Sequence, residues 1–142
     1  MTRDADALVT GASGFLGSHL LERLADEDAA VTATRHSSPP PDAAEGPGDV
    51  RWERLDVLDE GAVRAAVDGH DAVYHLAGTG LQSSDERTVR AVNEIGTRNV
   101  VEACLDAGVE RLVFTSTAGT RRAEGVADES DVAAPIGAYQ QS

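Results

Sequence analysis

The sequence predicts an α/β protein with a doubly wound parallel sheet, and three observations lead to this prediction. Short apolar runs alternate with amphipathic helical stretches, as in consecutive βαβ units joined by right-handed crossovers. The apolar runs are nearly continuous, which is typical of strands buried on both faces of a parallel sheet. A glycine-rich turn joins the first apolar run to the first helical stretch. The 142 residues are enough for one domain with its own core.

Five segments have the apolar and β-branched composition of strands. They are residues 7–10, 30–34, 50–55, 72–76 and 111–116. The third alternates, and it is expected to turn Val50, Trp52 and Leu55 into the packing. Residues 37–48 hold four of the five prolines, so a loop is expected there instead of a helix between the second and third strands.

Three segments have the periodicity of helices: residues 14–26, 60–67 and 85–107. In the first, Leu16, Leu20 and Leu24 recur every four residues and are expected to form the buried face. Asp59 is placed to cap the amino end of the second helix. Gly108 is placed just past the end of the third, where a left-handed residue commonly ends a helix.

The third helical segment carries a long apolar stripe, which is expected to face the core. It consists of Val89, Val92, Gly96, Val100, Ala103 and Ala107. Cys104 falls close to this stripe and is expected to be a core residue. As the only cysteine of the chain, it cannot form an internal disulfide, and a reducing cytoplasm is the expected compartment.

The charge of the chain is strongly negative, with 25 acidic residues against 12 basic ones and a net charge of −13. Every basic residue is an arginine. Such a field argues against nucleic acid or an anionic membrane as a partner. No apolar run is as long as a membrane span, and the first residues do not resemble a secretory signal. Because the acids are scattered, a halophilic surface is favoured over a docking face for a basic partner.

The turn after the first strand has the pattern Gly-x-x-Gly-x-x-Gly, at Gly11, Gly14 and Gly17. Gly11 allows a tight turn out of the strand, Gly14 lets the backbone approach a pyrophosphate, and Gly17 lets the helix pack close to the sheet. The free N–H groups at the start of the helix then face the phosphates. A glycine-rich turn without a ligand is the alternative, but the position between strand and helix favours dinucleotide binding.

These residues resemble the Thr-Gly-x-x-Gly-x-x-Gly signature of extended short-chain dehydrogenases/reductases, the family of NAD-dependent epimerases and dehydratases of sugar nucleotides. Further matches follow in the family's order at residues 55–57, 75–78, 92–97 and 113–118. The resemblance implies a Rossmann-type NAD(P)-binding domain over residues 1–142. It also implies that the domain is truncated before its last helix and strands and lacks the C-terminal substrate domain.

The resemblance implies a set of cofactor-binding residues. They are Gly11, Ser13, Gly14, Phe15, Leu16, Gly17, Asp56, Val57, Leu76, Ala77, Gly78, Asn93 and Thr115. Asp56 would bind the adenine amino group, although it could instead cap the next helix. Asn93 would bridge its helix to the sheet backbone, with a solvent-facing residue as the alternative. His75 is expected to be a packed strand residue and not a catalyst.

The end of the second strand bears on the choice between NAD and NADP. An acidic residue there would bind the ribose 2′-OH and favour NAD, but this sequence has Arg35. Arg35 could grip a 2′-phosphate with the help of Ser37, which favours NADP slightly. An arginine that stacks on adenine or lies in solvent is the alternative.

The resemblance also implies a catalytic pair, Thr117 from the fifth strand and Tyr139. Tyr139 and Ser142 match the start of the family's Tyr-x-x-Ser-Lys, in which the lysine would be residue 143. The chain is therefore expected to be inactive by itself. The long helical segment normally packs on the helix that would follow, so its Val89, Val92 and Val100 are expected to be partly uncovered. No residue is assigned to a metal.

The leading hypothesis is the NAD(P)-binding domain of a sugar-nucleotide epimerase/dehydratase-like oxidoreductase, which acts by hydride transfer at a secondary alcohol or ketone. A dihydroflavonol-reductase-like or steroid-dehydrogenase-like NADP reductase is the alternative within the superfamily. A non-catalytic NAD(P)-sensing module and an acidic docking protein are the other classes. A small-molecule substrate and a homodimer are expected only for a full-length form.

Overall fold

A computed structural model of the chain describes residues 6–27, 29–37, 50–80, 82, 84–117, 130, 133–135 and 137–142. Its strands are β1 (Ala7–Thr10), β2 (Val31–Arg35), β3 (Val50–Arg54), β4 (Ala72–His75) and β5 (Arg111–Phe114). They form one sheet in the order β3-β2-β1-β4-β5, and every neighbouring pair is parallel. The order reverses at β1, which confirms the predicted doubly wound, Rossmann-type fold.

The described helices lie between these strands. They are α1 (Phe15–Ala25), α2 (Glu60–Val67), α3 (Glu86–Arg90), α4 (Thr97–Ala107) and α5 (Gly137–Gln141), with a π-helical turn at Ala91–Gly96 joining α3 to α4. The side chain of Asp59 accepts a hydrogen bond from the Ala62 amide, as predicted for a cap of α2. Gly108 ends α4 with φ +70°, as its position predicted.

The two faces of the sheet carry separate halves of the core, because successive strand residues point to opposite sides. Leu8 of β1 packs on the side of α2 and α4, in a cluster that includes Val63 and Val100. Val9 packs on the side of α1, in a cluster that includes Leu21. Cys104 is buried in the first cluster, as predicted. The sheet is thus held between helical layers, and its carboxyl edge is left for a site.

Two predicted helix faces need correction. The buried residues of α1 are Gly17, Leu21 and Leu24, whereas Leu16 is 51% exposed, because Gly17 is the residue at which the helix approaches the sheet. The long helical segment is not one continuous α-helix, since the π-helical turn interrupts it. Ala107 at its end is exposed.

The predicted partial exposure of the apolar stripe is wrong for Val89 and Val100, which are fully buried, whereas Val92 is partly exposed. Val100 packs in the cluster formed by α2 and the sheet. On the long segment the exposed large apolar side chains are Ile95 and Leu105, and on β5 they are Val113 and Phe114. β5 is the edge strand of the described sheet, so it is not covered on both faces as a central parallel strand would be.

Apart from Ser37, the predicted loop at residues 37–48 lies outside the described residues. Within the described part of the chain, no helix is long and apolar enough to cross a bilayer.

Candidate dinucleotide site

The glycine turn lies at the carboxyl edge of the sheet, between the end of β1 and the start of α1. Gly11 has φ +68°, a conformation that glycine adopts without strain. A Cβ atom on Gly11 would lie 2.7 Å from the backbone nitrogen of Ala77, in the loop after β4. The turn is tied to β2 by a 3.0 Å hydrogen bond from the Ala12 amide to the Thr34 carbonyl. Only a glycine therefore fits at the crossing of these two loops.

The start of α1 has no side-chain cap. Its N-cap residue is Gly14, which is exposed and has an extended backbone. Gly17 is buried in the first turn of the helix, where a Cβ atom would lie 2.6 Å from the Cα of Ala12. The amides of an uncapped helix start, together with the positive end of the helix dipole, favour an anion.

A cavity of about 550 Å³ opens beside this turn; we call it the glycine-turn cavity. Of the predicted cofactor residues, its lining includes Gly11, Ser13, Gly14, Arg35, Asp56, Val57, Leu76, Ala77 and Gly78. The lining does not include Phe15, Leu16 or Gly17. The side chains of Phe15 and Leu16 are exposed, by 83% and 51%. Gly17 packs against Ala12 in the turn that follows β1. The structure thus brings together most of the predicted residues from four strand ends.

Asp56 sits at the far end of this cavity, after β3. Its Oδ1 accepts a 2.9 Å hydrogen bond from the Leu58 amide, and its Oδ2 lies 3.7 Å from Nε2 of His36. Because Asp59 caps α2, the alternative in which Asp56 caps that helix is wrong. Arg54 donates a 3.1 Å hydrogen bond from Nε to the His36 carbonyl. This end of the cavity therefore combines cationic and anionic side chains near the end of β2.

A second cavity of about 300 Å³ lies between the ends of β4 and β5 and helix α5; we call it the tyrosine cavity. Seven of the predicted residues line it: Leu76, Ala77, Gly78, Asn93, Thr115, Thr117 and Tyr139. Leu76, Ala77, Gly78 and Thr79 line both cavities, so the loop after β4 is a common wall between them. The predicted catalytic pair and the predicted cofactor loop thus share one surface.

Asn93 connects three parts of the tyrosine cavity. Its Oδ1 accepts a 2.9 Å hydrogen bond from the Thr79 amide, and its Nδ2 donates to the Thr79 carbonyl at 2.9 Å. The same Nδ2 donates to Oγ of Ser142 at 3.1 Å, and Ser142 donates to the Tyr139 carbonyl at 2.9 Å. Asn93 lies in the π-helical turn, a feature that is frequent at functional sites. The solvent-facing alternative for Asn93 is therefore wrong.

His75 is a buried strand residue, as predicted, and is 1% exposed. Burial lowers the pKa of His75 to about 4, so its ring is neutral at pH 7. The ring is stacked on Phe114, with 5.8 Å between the ring centroids. A neutral ring without solvent access is a packing and hydrogen-bonding group here.

Several lining residues were not predicted from the sequence. They include Thr34, His36, Leu58, Thr79, Ser84, Thr88, Thr97, Phe114 and Ser116. Thr79 could have been found, because it directly follows the matched His75–Gly78 stretch at the carboxyl end of β4. Ser84 and Thr88 carry no comparable signal, since they reach the cavity only through the packing of α3. Among the described residues, no group of three histidine, cysteine or acidic side chains is placed to hold a metal ion.

Comparison with known proteins shows which protein family this chain resembles. The family model described as "NAD dependent epimerase/dehydratase family" matches residues 7–142. The chain is 41% identical over 120 residues to L-arabinose 1-dehydrogenase (NAD(P)(+)) of Haloferax volcanii. The matched segment covers 84% of this chain and 44% of that protein. It is 35% identical over 112 residues to the human sterol-4-alpha-carboxylate 3-dehydrogenase, decarboxylating, covering 78% of this chain and 28% of that protein.

A solved structure agrees with these sequence relatives. MoeE5 in complex with UDP-glucuronic acid and NAD superposes with a TM-score of 0.83 at 33% identity, covering 96% of this chain and 45% of that one. The chain spans less than half the length of each of these three proteins. Since the family model covers almost all of the sequence, the chain belongs to the NAD-dependent epimerase/dehydratase family.

Proposed function

We propose that this chain is the NAD(P)-binding domain of an epimerase/dehydratase-type oxidoreductase. The observation that carries the proposal is the uncapped glycine turn, which opens into a cavity of about 550 Å³ at the carboxyl edge of the sheet. In open α/β sheets, ligands bind outside the carboxyl ends of the strands where the strand order reverses. Here that point is β1, the strand that the glycine turn follows.

The diphosphate of the dinucleotide is expected at the amides of the first turn of α1, because the Gly14 amide already donates to the Gly11 carbonyl at 3.1 Å. The adenine end then extends toward Asp56, and the loop at Ala77 and Gly78 lies along the cofactor. The nicotinamide end passes over that loop to the tyrosine cavity. These placements are supported by the two cavities and by their common wall.

For a full-length enzyme, we propose hydride transfer at a secondary alcohol or ketone. The bound nicotinamide supplies or accepts the hydride. Tyr139 exchanges a proton with the substrate hydroxyl, and Thr117 orients the substrate oxygen; both line the tyrosine cavity. A lysine four residues after Tyr139 would complete the pair on one helix face. The substrate is a small molecule that the rest of such an enzyme would bind.

Cofactor binding tests the proposal directly. Calorimetric titration of the purified chain with NADPH and NADH, at low and at multimolar salt, is expected to show saturable binding. Gly14→Val is expected to abolish that binding, because Gly14 lines the cavity at the start of α1 and its side chain would occupy the diphosphate position. Gly61→Val, on the exposed face of α2, is the matched control and is expected to bind as the parent does.

Two results would contradict the proposal. Absence of NADPH and NADH binding under every salt condition removes the cofactor site. Unchanged affinity in Gly14→Val means that the glycine turn is not where the phosphates bind.

The preference between the two cofactors is a separate proposal, and Arg35 supports NADP. Arg35 lines the glycine-turn cavity at the end of β2, and His36 and Ser37, the next two residues, are not acidic. Arg35→Ala is expected to weaken NADPH binding about tenfold, the scale of a charge-assisted hydrogen bond, and to leave NADH binding within about twofold. The control is Arg51→Ala, which removes an exposed arginine near the amino end of β3, at the opposite edge of the sheet from the cavity. Equal losses for both cofactors would contradict a 2′-phosphate contact.

The identity of the whole enzyme stays open between two kinds of oxidoreductase. The matches to a sugar dehydrogenase and to a sterol dehydrogenase support the sugar-nucleotide and the steroid- or dihydroflavonol-reductase-like alternatives alike. A non-catalytic NAD(P) sensor is the second candidate, but Thr117 and Tyr139 in one cavity disfavour it, because a sensor needs neither. A lysine codon after Ser142 and some ~150 further codons, a usual domain size, would support the enzyme. A stop codon there would support the sensor.

The acidic surface supports a proposal about the environment of the protein. We propose a high-salt cytoplasm, which fits the net charge of −13 and the Haloferax volcanii relative. Four arginines form i,i+4 pairs with acids in the described part of the chain, whereas the sequence holds 25 acidic residues. Salt shortens the Debye length from ~10 Å at 0.1 M to ~3 Å at 1 M and so removes the repulsion among them.

Raising KCl to multimolar concentration is therefore expected to raise the melting temperature of the chain by several degrees. The measurement is thermal unfolding by circular dichroism in KCl, because sulfate would also strengthen apolar burial. A melting temperature that stays constant or falls would contradict the proposal and favour a basic docking partner.

A further inference from the structure

A chain of buried hydrogen bonds runs from the loop after β4 through the sheet to α4. The Ala77 amide donates to Oγ1 of Thr10 at 3.2 Å, and the same Oγ1 lies 2.7 Å from Nδ1 of His75. On the other side of the ring, Nε2 lies 2.9 Å from Oγ1 of Thr97. Thr10 is 0% and His75 1% exposed, so bulk solvent does not reach these two side chains.

The direction of each hydrogen bond follows from counting protons. The Thr10 hydroxyl has one proton to donate and already accepts from the Ala77 amide. Among the described residues, the Nδ1 atom of His75 is the one acceptor that reaches this hydroxyl. If Nδ1 carried the ring proton, the hydroxyl proton of Thr10 would be buried without a partner, which is costly. The neutral ring therefore carries its proton on Nε2 and donates it to Thr97.

The network holds the part of the molecule that both cavities share. Ala77 lies in the common wall, and it is the residue whose backbone nitrogen approaches Gly11 most closely. Its amide does not complete the parallel ladder of β1 and β4, because that ladder ends with the 3.2 Å bond from the Leu76 amide to the Thr10 carbonyl. The Thr10 hydroxyl thus extends the attachment of the wall by one residue beyond the sheet.

We propose that His75 is a positioning residue. Its Nε2-protonated ring is fixed between Thr10 and Thr97 and sets the position of the common wall at Ala77 relative to the glycine turn. The inference rests on the proposed function in one respect, since the wall is where we expect the dinucleotide to lie. The ring itself touches no substrate or cofactor. Its contacts on β1, α4 and β5 are two hydroxyl groups and a phenyl ring, so no charged group faces it there.

Thr10→Val tests the inference, with Thr32→Val as its matched control. Thr32 is also a strand threonine in hydrogen-bond contact with a histidine, 3.0 Å from Nε2 of His70, but it lines neither cavity. In the 142-residue chain, Thr10→Val is expected to speed hydrogen exchange of the Ala77 amide at least tenfold and to weaken NADPH and NADH binding about tenfold. Thr32→Val is expected to change neither, and Thr10→Ser, which keeps the hydroxyl, is expected to restore both.

The tautomer of the His75 ring is a second readout of the network. Long-range ¹H–¹⁵N correlation spectra of the parent chain are expected to show His75 with an unprotonated Nδ1 and a protonated Nε2. A protonated Nδ1 would overturn the inference, and so would Thr10→Val with parental Ala77 exchange and parental affinity. If Thr10→Val does not fold, Thr97→Val removes the other end of the network, and unchanged Ala77 exchange in that variant would also overturn the inference.

The two proposals fail differently. If the parent chain binds no dinucleotide, the proposed function fails, whereas Ala77 exchange and the His75 tautomer still decide whether the network holds the wall. If the parent binds dinucleotide and Thr10→Val leaves both readouts unchanged, the proposed function stands and the role of His75 falls.

Discussion

Gly11→Ala is expected to destabilise the chain by about 2–5 kcal/mol and to abolish dinucleotide binding. A side chain at φ +68° costs roughly 1–2 kcal/mol. Its Cβ atom would also lie 2.7 Å from the Ala77 nitrogen and 2.8 Å from the Ala77 Cα, and overpacking of this kind costs roughly 1–3 kcal/mol. Because the obstructing atoms are backbone, the loop after β4 must move away from the turn. Urea unfolding and calorimetric titration measure the two effects.

Gly108→Ala separates the two causes. Gly108 has nearly the same backbone conformation, φ +70°, but no atom lies within 4 Å of its added Cβ. This variant is expected to lose about 1–2 kcal/mol and to bind dinucleotide as the parent does. Equal destabilisation of the two variants would mean that the approach of the glycine turn to Ala77 is not tight.

Gly17→Ala is expected to destabilise the chain by about 1–3 kcal/mol, in spite of the higher helix propensity of alanine. The added Cβ would lie 2.6 Å from the Ala12 Cα and 2.7 Å from the carbonyl oxygens of Ala12 and Gly11. The amino end of α1 must then move away from the turn that follows β1, and the helix amides move with it. We expect at least tenfold weaker dinucleotide binding, measured by calorimetry beside urea unfolding.

Gly61→Ala is the control with the opposite sign. Gly61 is an exposed residue of α2, and the nearest atom to its added Cβ is Oδ1 of Asp59, at 3.5 Å. Alanine there is expected to stabilise the chain by about 0.5–1 kcal/mol through helix propensity alone. If Gly17→Ala also stabilised the chain, the close packing of α1 on the sheet would be disproved.

The fold could be predicted because its signals are local. The β-branched runs, the glycine turn and the caps at Asp59 and Gly108 each act within a few residues, and all of them are present in the structure. The candidate site could be predicted for the same reason: the carboxyl ends of parallel strands meet at one edge, so residues that follow strands come together. Arg35, Asp56 and Ala77 do so in the glycine-turn cavity.

What the sequence did not reveal depends on packing between distant segments. The π-helical turn at Ala91–Gly96 has no composition of its own; a Cβ on Gly96 would lie 2.5 Å from Val57, a contact 39 residues away in the sequence. Leu16 has the spacing of a core residue, but the approach of Gly17 to the sheet turns it outward. The exposure of Phe114 follows from the place of β5 at the edge of the sheet, which strand composition does not encode.

The backbone from Leu76 to Thr79 borders both cavities. A ligand in one cavity that shifts this backbone also changes the shape of the other cavity. Thermodynamic linkage makes such an effect mutual. If the first ligand changes the affinity for the second by some factor, the second changes the affinity for the first by the same factor. If a molecule near Tyr139 and a dinucleotide near Gly14 both shift this backbone, each therefore changes the affinity for the other by the same factor. The sign of that effect depends on whether both favour the same position of the backbone.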